Sequence, residues 1–266
     1  MTFAPKLVAL DIDGTLVDAD GIMPVEIHAA VRRVVDAGVP VVLSTGRSWV
    51  ATRPIFEMLD LPPGWAVSAN GAIVVTYPPF EVRHEVRFDP SDVVHQVAAV
   101  APHALIGVQD LDRWRVSRRF PDGELQGEVL VQSIDELAAQ EVSRVVVREP
   151  NSSEKVFAEL VGQLGLHEVS YFVGWSAWLD IGPQDVDKAH GLAMVCNDLG
   201  IAPADVLALG DGRNDIEMLQ WAGRGVAIGD APEEVKAAAD AVTGGFVELG
   251  TVAELNRWFP PRAEPT

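Results

Sequence analysis

The sequence predicts an α/β protein: a Rossmann-like, parallel-sheet core interrupted by an inserted α+β domain. Three observations carry that reading. Short apolar strands alternate with amphipathic helices toward both ends of the chain. The alternation breaks down from about residue 82 to 181, and polar clusters stand where the apolar strands stop. With 266 residues, 48% hydrophobic and 22% charged, the chain suffices for one large domain or two modest ones.

Taken in order, Leu7 to Leu10 is a short apolar strand. "PVEIHAAVRRVVDAG" reads as a helix, with Pro24 near its first turn and Gly38 just past its end. Ile27, Val31, Val34 and Val35 form its apolar face. "VPVVLST" is a second buried strand, ending at Ser44, Thr45 and Gly46, and the strand–helix–strand order gives a right-handed parallel crossover. A less regular helix containing Pro54 follows. "VSANGAIVV" reads as strand, Asn70-Gly71 turn, strand.

The middle of the chain reads differently. "DPSDVVHQVAAVAP" and "SSEKVFAELVGQLG" are amphipathic helices. "LIGVQD", "RWRVSRRF" and "SRVVVREP" are strand candidates, and "VSYFVGWSAWLDIG" suggests two antiparallel strands. After "GPQDVDK" the earlier order returns: helix "KAHGLAMVCNDLG", strand "DVLALGD", helix "NDIEMLQWAG", strand "RGVAIGD", helix "APEEVKAAAD", a short strand in "DAVTGG" and a closing helix "TVAELNRWF". The expected division is residues 1–82 and 182–266 for the core and 83–181 for the insert.

Composition excludes several roles. There are 39 acidic and 20 basic side chains, a formal net charge of −19, so nucleic acid and anionic membranes are unsuitable partners. That diffuse field is screened beyond roughly 8 Å at physiological salt, and one lysine with a cation at contact distance outweighs it for a phosphate substrate. No apolar run approaches the ~18–20 residues of a membrane span, and the first residues lack the pattern of a secretory signal. The cytoplasm is the expected location. The one cysteine, Cys196, falls among apolar helix positions and reads as a buried thiol.

Chemistry gathers at the strand ends. In an open parallel sheet, ligands bind beyond the carboxyl ends of the strands. Four polar clusters are expected there: Asp11-Ile12-Asp13, Ser44-Thr45-Gly46-Arg47, the segment before Lys188, and "GDGRND" over Gly210–Asp215. A single cluster would be read as a turn or a helix cap; four sharing carboxylates, hydroxyls and an ammonium are not. Two carboxylates as close as Asp11 and Asp13 repel and resist desolvation, so a cation is the natural compensation. Magnesium takes one or two carboxylates together with substrate phosphate. Asp11 and Asp211 can supply them, with Asp215 in or behind the first shell, while Thr45 or Ser44 and Lys188 meet phosphoryl oxygens. A carboxylate beside the metal can attack phosphorus, and a second one, Asp13, is free to move a proton.

"DIDGTL", "STGR", Lys188 and "GDGRND" resemble, in order and position, the four motifs of the haloacid dehalogenase (HAD) superfamily of phosphohydrolases. "SANGA" and the insert between the second and third motifs resemble the Cof-type (HAD-IIB) branch with its C2B cap. The resemblance implies an HAD core with a C2B-type cap, a Mg2+ cofactor and a phosphoaspartate. It implies Asp11 as nucleophile and metal ligand, and Asp13 as general acid and base with its backbone carbonyl on the metal. It further implies Thr45 as the phosphate-binding hydroxyl, Lys188 as the neutralising lysine, Asp211 as metal ligand, Asp215 as its support and Asn214 as orienting phosphate. It places Asn70 near the site, where the residues alone allow a plain hairpin turn. Lys188 is followed by Ala-His-Gly where many relatives have Gly at once, a departure that bears on where the helix starts.

The expected function is a magnesium-dependent phosphatase of small phosphorylated metabolites, with sugar phosphates foremost. The alternatives are a phosphomutase of the phosphomannomutase type and a catalytically inactive binding protein on the same fold. Arg47 reads equally as an ion pair or a ligand contact. His84, Arg113, Arg115 and Arg118 read as solvated, and Trp175 and Trp178 as core of the insert.

Overall fold

The computed structural model describes residues 3–150, 169–174 and 177–261; the helix expected within 152–165 lies outside them, as does Trp175. The chain begins β1 (Leu7–Leu10), α1 (Val25–Asp36), β2 (Val41–Ser44), α2 (Trp49–Met58), β3 (Gly64–Ser68), β4 (Ile73–Tyr77) and β5 (Glu81–Glu85). Next come α3 (Ser91–Val100), β6 (Leu105–Asp110), β7 (Arg113–Val116), β8 (Glu128–Val131), α4 (Ile134–Ala138), β9 (Arg144–Arg148), β10 (Val169–Gly174) and β11 (Trp178–Pro183). Last are α5 (Lys188–Leu199), β12 (Val206–Gly210), α6 (Ile216–Trp221), β13 (Arg224–Ala227), α7 (Glu233–Ala238), β14 (Ala241–Val242) and α8 (Gly250–Trp258). Among the described residues, no helix is long and apolar enough to cross a membrane.

Two compact units result: Met1–Gly46, Thr52–His84 and Asp187–Thr266 in one, Arg47–Ala51 and Glu85–Val186 in the other. The first contains an eight-stranded sheet ordered β14-β13-β12-β1-β2-β3-β4-β5. Its strands from β14 to β3 pair in parallel, and β3 with β4 antiparallel. Every residue of β1, β2 and β12 is buried, as central parallel strands covered on both faces require. Helix α1 turns Ile27, Ala30, Val31 and Val34 inward at helical spacing, while Val35 is only half-buried.

The second unit holds a six-stranded sheet ordered β10-β11-β9-β6-β7-β8, antiparallel except for β7 with β8. Val108, Val145, Val147, Leu179 and Ile181 pack with Val93, Val94 and Val97 of α3 and Leu137 of α4. A second cluster joins Trp114, Val116, Phe120 and Val146, and Trp178 packs against it edge-on to Phe120 at 6.0 Å.

Four details differ from the sequence expectation. Strands β5 and β8 are edge strands with mostly exposed or half-exposed residues, so neither shows a buried pattern. Helix α4 is five residues long and rests on a capping box, Ser133 with Glu136, which the S-x-x-E spacing carried in plain sight. Between β3 and β4, Ser68 pairs with Ile73, so the connection is residues 69–72 and not a two-residue turn. Ala69, Asn70 and Gly71 all take positive φ there. Finally, the strand before Lys188 is β11, which belongs to the six-stranded sheet. Only three of the four polar clusters therefore lie at ends of the parallel sheet; the fourth is delivered by the start of α5.

Candidate active site

Strands β1 and β12 are neighbours, registered Leu10 to Leu209, yet the chain leaves β1 toward β2 on the opposite side. Such a reversal of strand order opens a crevice at the carboxyl ends. Asp11 and Asp211 are the first residues beyond those two strands, and the Asp11 N–H donates to the Leu209 carbonyl at 3.0 Å. The loop after β1 turns at Gly14 (φ +75°), where a β-carbon would stand 2.3 Å from Asp211 Oδ2. Glycine in "DIDGT" thus serves both the turn and the approach to the facing carboxylate.

Lys188 opens α5 and is fully buried. Its ammonium donates to Asp11 Oδ1 and to Asp215 Oδ1, each at 2.6 Å. Asp187 caps the helix by accepting the His190 N–H at 2.8 Å, so the Ala-His-Gly sequence leaves the lysine in the first turn. Asp215 is fully buried and its other oxygen accepts the N–H groups of Asp211 (3.0 Å) and Gly212 (2.8 Å). It shapes the loop that carries Asp211.

The balance of charge is uneven. Asp11, Asp211 and Asp215 bring ligand oxygens within 4.8 Å of one another around one ammonium. Burial, then the charge of Asp215, drives the Asp11 carboxyl well above the usual carboxylate range, despite Lys188. The same two causes push Asp211 up to about 7. Burial alone would lower the Lys188 pKa; Asp11 and Asp215 outweigh it and raise it. Three carboxylates against one lysine leave an excess of negative charge that suits a hard, oxygen-seeking divalent cation.

Asp13 lies apart from this set. It is exposed while Asp11 is buried, because fully buried Ile12 between them anchors the segment in the core. Thr15 Oγ1 donates to Asp211 Oδ1 at 3.4 Å, and the Thr15 carbonyl accepts from Thr251 Oγ1 of α8 at 2.7 Å. Sequence reasoning assigned neither threonine; the "DIDGT" context was the signal for the first, and nothing local marks the second.

The phosphate candidates and Asn70 fall on three loops, those after β2, β3 and β12. Ser44 ends β2 and is fully buried, with no hydrogen-bond partner for its Oγ among the described residues. Buried Thr45 follows, its N–H on the Val67 carbonyl and its own carbonyl taking the Asn70 N–H at 3.1 Å. Gly46 comes next, close against the Asn70 side chain. Asn214 Nδ2 donates to Asn70 Oδ1 at 2.9 Å, tying the third of these loops, that of Asp211, to the turn after β3.

The remaining candidates have structural partners. His84 pairs with Asp198, and Arg113 lies 3.9 Å from Asp110. Arg115 is buried, contrary to the solvated reading, and donates to Asp110 and to the Glu136 carbonyl; its aliphatic length fills the insert while its head stays paired. Arg118 caps the chain after α3 through the carbonyls of His103 and Ala104. Arg47 reaches the Ala51 carbonyl at 3.5 Å. Cys196 is buried, its thiol pushed up to about 11 by burial.

A parallel sheet with carboxylates at its switch point and a lysine gripping two of them defines a class of hydrolase. The family model for haloacid dehalogenase-like hydrolases matches residues 8–254, and the chain belongs to that family. It is a hydrolase of that family, and the curated relatives it resembles along nearly their whole length are named as phosphatases. A 5-amino-6-(5-phospho-D-ribitylamino)uracil phosphatase of Bacillus subtilis is 27% identical over 264 residues, spanning 95% of each chain. A phosphoglycolate phosphatase of Natronomonas pharaonis is 30% identical, spanning 94% of this chain and 96% of its own. Among solved structures, a HAD subclass IIB sugar phosphatase shares the fold with a TM-score of 0.81 at 23% identity, over 95% of this chain and 98% of that one.

Proposed function

We propose that the protein is a magnesium-dependent phosphatase of small phosphorylated metabolites, sugar phosphates foremost, working through a phosphoaspartate on Asp11. The observation that carries this reading is the buried Asp11 carboxylate, held by Lys188 beside Asp211 and Asp215. Asp11 Oδ attacks phosphorus while exposed Asp13 protonates the departing alkoxide. Asp13 then takes a proton from the water that cleaves the acyl phosphate, restoring Asp11. Thr45, Ser44, Gly46 and Asn214 bind phosphoryl oxygens, Asn70 stands beside them, and Lys188 neutralises the charge of the attacked group. Asp11, Asp211 and the Asp13 carbonyl, supported by Asp215, would hold Mg2+, which supplies positive charge to the phosphoryl oxygens. Residues 83–181 act as the cap that selects the leaving group.

The relatives' names, a ribitylaminouracil phosphate and phosphoglycolate among their substrates, support a small phosphorylated metabolite without choosing one. Phosphate release from a panel of phosphorylated metabolites, with Mg2+ and with excess chelator, tests the reading. Inorganic phosphate from a hexose phosphate supports hydrolysis; an isomeric sugar phosphate in its place supports the mutase alternative. Full turnover in chelator overturns the metal requirement.

A further inference from the structure

Asn70 sits in the left-handed region (φ 50°, ψ 39°), a conformation asparagine tolerates better than most side chains. It is buried, and three contacts converge on it. Its N–H is held by the Thr45 carbonyl at 3.1 Å, and its Oδ1 accepts Asn214 Nδ2 at 2.9 Å. Its side chain lies so near Gly46 that a β-carbon there would stand 3.0 Å from Oδ1 and 3.3 Å from Nδ2. Gly46 has no left-handed backbone to accommodate, so the close approach of Asn70 is what its missing side chain permits.

The consequence falls on Asn214. A carboxamide offers two donors at one end and an acceptor at the other, and a rotation by half a turn exchanges them. A phosphoryl group carries acceptors only. We propose that Asn70 is a positioning residue: its Oδ1 holds the Asn214 amide so that Asn214 meets phosphate with N–H and not with C=O. One Asn214 N–H is spent on Asn70 and the second remains for the ligand. The Asn214 carbonyl is turned toward Gly212, where a β-carbon would lie 2.4 Å from it. This assignment rests on the phosphatase reading above, and it makes the turn after β3 a brace for the loop after β12.

A double-mutant cycle tests it, using Asn70→Gly, Asn214→Ala and both together, with p-nitrophenyl phosphate and Mg2+. Glycine keeps the left-handed backbone, so the first substitution removes the side chain alone. A hydrogen bond feeding a charged ligand predicts a loss of about tenfold in kcat/KM for Asn70→Gly, with a similar weakening of inhibition by inorganic phosphate. In the Asn214→Ala background the same change should cost under about twofold, since the two act as one unit. In 15N-labelled protein, the Asn214 carboxamide signals, assigned by their loss in Asn214→Ala, should shift in Asn70→Gly. Gly46→Ala, which displaces Asn70 without removing it, should reproduce that shift and serves if Asn70→Gly fails to fold. Equal factors in both backgrounds, or unmoved carboxamide signals, overturn the assignment of Asn70. No phosphate release from any ester by the unaltered protein with Mg2+ would instead overturn the phosphatase reading, and the carboxamide shift would still test the bond between Asn70 and Asn214.

Discussion

Buried charge is arranged differently in the two units. Among the described residues of the unit with the six-stranded sheet, the buried and half-buried arginines of its strands lie beside carboxylates. Arg144 lies 3.2 Å from Asp180 with its guanidinium 4.8 Å over the Trp114 ring, Arg115 lies 2.7 Å from Asp110, and Arg148 lies 3.0 Å from Glu124. At the ends of β1 and β12, one lysine faces three carboxylates. A matched pair of one cation and one carboxylate cancels its charge locally. An unmatched cluster costs stability unless something else binds, and it is therefore the better marker of a site.

The largest effect expected from that contrast is at Lys188. Lys188→Met leaves Asp11 and Asp215 buried without their ammonium, and the metal-free protein should lose about 3–5 kcal/mol at pH 8. Denaturant titration should show the loss shrinking as the pH is lowered toward 5 and the carboxyls protonate. A loss unchanged with pH would mean that packing, and not charge, explains it.

A somewhat smaller effect belongs to the matched pair. Asp180→Asn strands the Arg144 guanidinium in the insert and should cost about 3 kcal/mol, whereas replacing both by leucine should be nearly neutral. Burial raises the Asp180 carboxyl and lowers the Arg144 guanidinium, each against the pull of the other, so the pair gives little net stability. If the double variant is as unstable as the single one, the pair is not the self-contained unit described.

Smaller again is the linkage of pH to cation binding. Asp211 is raised to about 7 from an ordinary 3.8, so its folded state favours the proton. The stability this gives is complete below pH ~4 and is lost as pH rises through about 7, where Asp211 takes up its charge. The gain in Tm on adding Mg2+ should therefore grow from pH 5.5 to pH 8. A gain that is flat or falls over that range would contradict the charge excess.

The smallest change is at Thr15. Its 3.4 Å contact with Asp211 is long, so Thr15→Val should raise the Mg2+ concentration for half-maximal activity only about fivefold. No change would remove Thr15 from the support of Asp211.

Much of this was legible in the sequence because periodicity and chemistry coincide. Apolar runs stop at β1, β2 and β12, and the residues just past them are Asp11, Thr45 and Asp211. Edge strands β5 and β8 have no buried face to write into the sequence, and five-residue α4 is too short for a helical period to emerge. Lys188 was named from its motif, and the helix it opens was read from the pattern. That the strand before it pairs in the other sheet was not, because sheet membership is a long-range property. Thr251 reaches Thr15 across 236 positions, and long-range contacts of that kind leave no local pattern. The Asn70–Asn214 bond, spanning 144 positions, is hidden for the same reason.

The division of labour between buried Asp11 and exposed Asp13 is the centre of the account, and rapid-mixing absorbance with p-nitrophenyl phosphate tests it most directly. The p-nitrophenolate anion leaves without a proton, so Asp13→Asn should release about one equivalent of it in a fast burst. Slow turnover should follow, because water attack on the phosphoaspartate still needs a base. With a sugar phosphate the same variant should be slowed already in forming the intermediate, by about 10²–10⁴-fold. Asp11→Asn should give no burst with either ester. A burst from Asp11→Asn, or an equal slowing of phosphorylation by Asp13→Asn for both leaving groups, would contradict it.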